Sequence, residues 1–119
     1  MPTKDQHVQK AEGNLAFAFS LPLDIQARID WALVAVFYAA LHYVEAYLAD
    51  TGYHLRSHQT RDNVIGRDAN LKKIFHEYQD LKFYAYNARY EVPNFTAVNV
   101  TGEAIPSFQI VKTHIQELL

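Results

Sequence analysis

The apolar positions of this chain are densest between Trp31 and Ala49, WALVAVFYAALHYVEAYLA, where His42 and Glu45 are the only side chains that carry acid–base chemistry near neutral pH. A segment this apolar is driven out of water, and its burial penalises an unpartnered imidazole or carboxylate by kilocalories. The same density raises the question of a membrane span, since about twenty apolar residues cross a bilayer. The strictly apolar run, Trp31 to Leu41, is too short for that. His42 and Glu45 would also sit in hydrocarbon, and no cationic flank or second span accompanies the run. The stretch therefore reads as the central helix of a folded core. It starts at Pro22 with Ser20 as a candidate cap and runs to about Asp50, where Thr51-Gly52 supplies a stop.

Around this spine the pattern predicts further helices. Residues 1–7 read as frayed, and Val8 to Phe19 as a short first helix weakened by Gly13. Ser57 is a good cap for a short helix over His58 to Ile65, which Gly66 ends. Asp68 or Asn70 caps a helix from about Leu71 to Tyr90, whose Leu71, Ile74, Phe75, Tyr78, Leu81, Ala85 and Ala88 recur at helical spacing before Pro93 closes it. Residues 91–105, with Pro93, Gly102 and several β-branched side chains, read as an irregular loop with room for a brief strand, long enough in a small domain to suggest a role. A last helix from about Pro106 to Leu118 turns Phe108, Ile110, Val111, Ile115 and Leu118 inward.

Composition narrows the picture to one helical domain over residues 1–119. Four Gly and four Pro among 119 residues, with eight Tyr and seven Phe, favour helices over a turn-rich β fold. A formal charge of -2 excludes a strongly basic nucleic-acid binder as a whole. Between positions 54 and 75, however, Arg56, Arg61, Arg67, Lys72 and Lys73 outnumber Asp62 and Asp68, with His54 and His58 beside them. This is either a local basic face or ordinary solvated charge on two short helices. The absence of cysteine excludes disulfides and thiolate metal sites, and MPTKDQHVQKAEGN lacks the apolar core of a signal peptide, so a cytoplasmic location is expected. HExxH, GxSxG, P-loop and GxGxxG signatures are missing, and the one-turn pair His54 and His58 is a weak zinc signal, so no metal or cofactor is expected.

Helical geometry places Trp31, Tyr38, His42, Glu45 and Ala49 on one stripe, with His42 one turn from both Tyr38 and Glu45. A Glu beside a His fixes its tautomer and raises its pKa, and a phenol can join the same network. His58, Arg61 and Ile65 share a face, and an inward Arg calls for a carboxylate, a phosphate or a carbonyl; Glu45 is one such partner. Further on, Tyr78, Lys82 and Arg89 fall on the apolar stripe, with Lys82 snorkelling and Arg89 near the helix end. Two readings stay open for Tyr38, His42, Glu45, His58, Arg61 and Arg89. They either neutralise one another inside the bundle or at a subunit interface, or they line a ligand site.

The string FYAALHYVEAYLADTGYHLRSHQTR, Phe37 to Arg61, resembles the HEPN superfamily, particularly its small prokaryotic members, in its aromatic pair, small residues, loop and following SH dipeptide. Tyr78-x-x-Leu81 and Ala88-Arg89-Tyr90 are similar to that group's second block, and the resemblance covers roughly positions 22 to 118. It implies an antiparallel up-and-down bundle of four or five helices, commonly a homodimer, with RNA or nucleotides as the usual ligand class. Many members act as metal-independent endoribonucleases in defence or toxin–antitoxin systems. Those nucleases carry an Arg followed four to six residues later by a His, and no Arg in this sequence has a His at that distance. The expectation is therefore a domain that binds RNA or a nucleotide-like anion. Its alternatives are a dimerising module accessory to a nucleotidyltransferase, antitoxin or other partner, and a divergent ribonuclease using His42 or His58 with Arg61 or Arg89. No membrane partner is expected.

Overall fold

The computed structural model describes residues 2–52 and 57–119, and every regular element among them is helical. The order is α1 (Lys4–Ser20), α2 (Gln26–Asp50), α3 (His58–Arg67), a 3₁₀ turn (Leu71–Ile74) running into α4 (Phe75–Tyr90), and a widened π turn (Asn99–Ala104) running into α5 (Ile105–Leu118). The all-α expectation holds. Helix α2 is apolar on nearly every face, as a helix enclosed by others must be, and α1, α4 and α5 all pack on it. It has the length and apolarity of a membrane span, yet 78% of its most apolar window is buried within the fold. Leu33, Phe37, Tyr43 and Leu48 of α2 meet Tyr78 and Leu81 of α4, Phe108 and Ile115 of α5, and Ala11 and Leu15 of α1 in one core. Trp31 stands apart from it, 56% exposed.

Several element boundaries differ from those the sequence predicts. Residues 4–7 are helical rather than frayed, because Thr3 accepts from the Gln6 amide at 3.2 Å while the Gln6 side chain accepts from the Thr3 amide at 2.8 Å. This reciprocal capping box satisfies two otherwise orphaned donors. Ser20 serves the end of α1, donating to the Phe17 carbonyl at 2.6 Å, and does not cap α2. Pro22 to Ile25 form a turn, and α2 begins at Gln26, whose side chain donates to the Phe95 carbonyl at 3.1 Å. Gly66 lies inside α3, which ends one residue later.

The expected irregular stretch over 91–105 is shorter, and it forms no strand. Only 91–96 lack helix, and Ala97 already begins the path into α5. Tyr84 packs on Phe95 with ring centroids 5.2 Å apart and donates to Glu103, which also accepts from Asn99 at 2.8 Å. Pro106 explains the widened turn ahead of it, since proline has no N–H to donate and its ring crowds the preceding carbonyl. The stop after α2 is as expected. Gly52 takes φ 91°, in the left-handed region, and the Thr51 hydroxyl donates to the carbonyls of Tyr47 and Leu48.

Asp68 joins three elements. Its Oδ1 accepts from the amides of Asn70 at 2.8 Å and Leu71 at 3.1 Å, and its carboxylate receives the Tyr47 hydroxyl of α2. Asp68→Ala should lower stability by about 1–2 kcal/mol in urea unfolding with an unchanged m-value, whereas Asp68→Asn, which keeps an acceptor, should recover most of the loss.

Candidate functional site

Tyr38, His42 and Glu45 lie on one stripe of α2, each half-buried, and the three turn to different neighbours. Glu45 meets α3. Ser57 caps that helix by accepting from the Thr60 amide at 3.1 Å, which fixes where its first turn begins. The side chains of Arg61 and Glu45 are only 9% and 13% exposed, and Arg61 Nε donates to Glu45 Oε1 at 2.5 Å. Arg61 Nη1 then reaches His58 Nδ1 at 3.1 Å. Because a guanidinium can only donate, His58 Nδ1 is the acceptor and the ring proton resides on Nε2. Burial, followed by the charge of Arg61, holds the His58 imidazole below its ordinary pKa, with Lys82 and Arg89 acting in the same direction against Asp62. At neutral pH His58 is thus an uncharged ring whose basic nitrogen is already occupied.

Tyr38 meets α4. Its hydroxyl accepts from Arg89 Nη1 at 2.5 Å, and the guanidinium carbon lies 5.5 Å from the Tyr38 ring centroid and 5.1 Å from that of Tyr90. Both contacts are in cation–π range. Among the described residues no carboxylate pairs with Arg89, and its Nε is buried without a hydrogen-bond partner. Lys82, two turns earlier on the same face of α4, pairs with Asp62 of α3. These groups line a cleft of about 310 Å³, with Phe37 and Tyr38 from α2, His58 from α3, and Lys82, Tyr86, Arg89 and Tyr90 from α4. Tyr86 and Tyr90 are more than half exposed and stand beside each other at 5.1 Å. An uncompensated arginine, a ring N–H and exposed aromatic faces form a receptor for an anion attached to a planar group.

His42 lies elsewhere. Its ring meets His7 of α1, Nδ1 to Nδ1 at 3.1 Å, beside a separate cavity of about 400 Å³ lined by Pro2, Gln6, His7, Lys10 and His42. Burial first, then the charges of His7, Lys10 and Arg61, push the His42 imidazole down to about 4. Of the six residues singled out from sequence, Tyr38, His58 and Arg89 share the cleft. Glu45 and Arg61 form the buried pair behind His58, and His42 belongs to the second cavity. His54 and Arg56 fall outside the described residues.

Sequence reasoning passed over His7, Lys10 and Tyr86. The Thr3-x-x-Gln6 capping box was the available signal for the first two, since a helix starting at Lys4 carries His7 and Lys10 on one face. For Tyr86, the signal was an aromatic pair at one-turn spacing with Tyr90, away from the apolar stripe. No family model, curated protein or solved structure matches the chain.

Removing one partner of the buried ion pair strands the other charge. Arg61→Ala and Glu45→Ala should each cost about 3 kcal/mol in denaturant unfolding, while the double variant Glu45→Leu/Arg61→Met should lie well above the sum of the two losses. Additive losses would show that the contact contributes nothing beyond its separate parts.

Proposed function

We propose that this chain is a cytoplasmic HEPN-like domain that binds RNA or a nucleotide-like anionic ligand in the cleft between α2, α3 and α4. The observation that carries this reading is Arg89. Its guanidinium is oriented by the Tyr38 hydroxyl, lies over two rings, has no carboxylate partner among the described residues and keeps a buried Nε unpaired. Leaving a cation in that state is costly unless an anion completes its contacts. The cleft, at about 310 Å³, is at the small end of ligand pockets and suits a base with its sugar phosphate rather than an extended cofactor. Tyr86 and Tyr90 offer faces for a base, a contact worth about 1–3 kcal/mol.

The all-α fold supports the HEPN-like reading, as does the meeting at one cleft of His58, from the Ser57-His58 dipeptide, with Arg89 and Tyr90. Binding fits the geometry better than cleavage. A base must present a free lone pair to the 2′-hydroxyl, and that of His58 Nδ1 is taken by Arg61. Arg89→Ala should weaken binding of uridine and adenosine monophosphates at least tenfold in calorimetric titration while the helical circular dichroism stays unchanged, and Arg89→Lys should fall between. Binding that survives Arg89→Ala would remove this reading.

The exposed outer face of α4 favours a second reading, a dimerising module without a ligand of its own. Phe83 is 61% exposed and Val92, just beyond the helix, 98%. On that reading the chain sediments as a dimer that Phe83→Ser dissociates, and nucleotides produce no heat.

A further inference from the structure

The cavity at His7 and His42 has no part in the cleft, yet the two are neighbours on one helix. His42 follows Tyr38 by a single turn of α2, about 6 Å along the axis. Tyr38 turns toward Arg89 of α4 and His42 toward His7 of α1, so the two cavities lie on either side of the same half-buried ridge. Arg61 connects them electrostatically, since its charge lowers the pKa of His58 on one side and of both His7 and His42 on the other.

We infer that this second cavity is a phosphate subsite, and that cleft and cavity together take successive nucleotides of one single strand of RNA. The inference rests on the nucleotide reading of the cleft and extends it from a single nucleotide to a strand. Lys10 is exposed at the mouth of the cavity and, among the described residues, pairs with no carboxylate. The histidine pair supplies a second donor. In an Nδ1–H···Nδ1 bond one ring donates and the other accepts, so the accepting ring must carry its proton on Nε2. Lys10 and that N–H are the two groups a phosphate oxygen needs. A metal ion is disfavoured at the same place, because Lys10 and Arg61 already make its potential positive and Glu45, the one nearby carboxylate acting on His7, is held by Arg61. Among the described residues the aromatic rings at this cavity are the paired imidazoles, whereas Tyr86 and Tyr90 border the cleft. One base is therefore stacked in the cleft, while its neighbour is held by its phosphate alone and without regard to sequence.

The test compares uridine monophosphate with a 5′-phosphorylated hexauridylate on the wild-type chain and on Lys10→Ala, His7→Gln and Arg89→Ala, each checked for unchanged circular dichroism. Lys10→Ala should weaken hexauridylate binding about tenfold and flatten its logarithmic salt dependence by about 0.7, the contribution of one phosphate on a single strand, while leaving uridine monophosphate unaffected. His7→Gln should shift hexauridylate in the same direction. Hexauridylate binding and salt slope that Lys10→Ala and His7→Gln leave unchanged, while Arg89→Ala weakens both ligands, would overturn the second subsite and leave the cleft intact. Failure of the wild-type chain to bind either ligand would overturn the cleft reading, and the subsite with it.

Discussion

Glu45 is a carboxylate on the most enclosed helix of the fold, and the arrangement around it follows from the need to neutralise it. Arg61 answers that need from α3, a ten-residue helix with only two buried side chains, Arg61 itself and Ile65. So small an apolar face stabilises little by burial, and the ion pair adds a directed contact between α3 and α2. Once Arg61 is anchored, its Nη1 fixes the ring of His58, and Asp62 on the next position receives Lys82 from α4. One wall of the cleft is thus built from a charge that the core could not leave alone. Tyr78, buried beside this network with its hydroxyl unpartnered, shows how tightly the core closes behind it; burial raises its pKa, so the phenol stays neutral.

The large features of this arrangement were legible because they depend on local pattern. The apolar run of α2, the Ser57 cap and the periodic stripe from Leu71 to Ala85 each follow from a few adjacent residues and from helix geometry. The pairing of Glu45 with Arg61 was also foreseeable as one of few ways to bury an arginine. Part of what escaped was local, the Thr3–Gln6 capping box above all, and the rest depends on relations between distant segments. Ser20 and Pro22 satisfy every local rule for a helix start, but Gln26 is held by the Phe95 carbonyl sixty-nine residues away, and the chain turns before it coils. His42 illustrates the same limit at the site. Helical geometry puts it on a stripe with Tyr38 and Glu45, yet a stripe has two flanks, and only the packing of α1 decides that this imidazole leans away from Arg89 and onto His7.

The two histidine environments show how placement selects chemistry from one residue type. His58 is near the surface, and an arginine commits its lone pair, so it can offer a proton but not accept one. His42 is deeper and shares a bond with a second imidazole, so that either ring can donate to the other and the pair can take up one further proton without breaking the contact. Neither ring is arranged as an isolated base. That fits a surface that holds an anion better than one that activates a nucleophile.

Trp31 gives the molecule an uneven optical behaviour. It is the chain's single indole, and it already meets water in the native state, whereas Tyr43 and Tyr78 are fully enclosed. An indole that is already more than half exposed changes its surroundings less on unfolding than an enclosed ring does. Tyr43 and Tyr78, closed off from solvent in the native state, meet water only when the core opens. Tyrosine light reports the integrity of the core, and tryptophan light reports on what touches the surface.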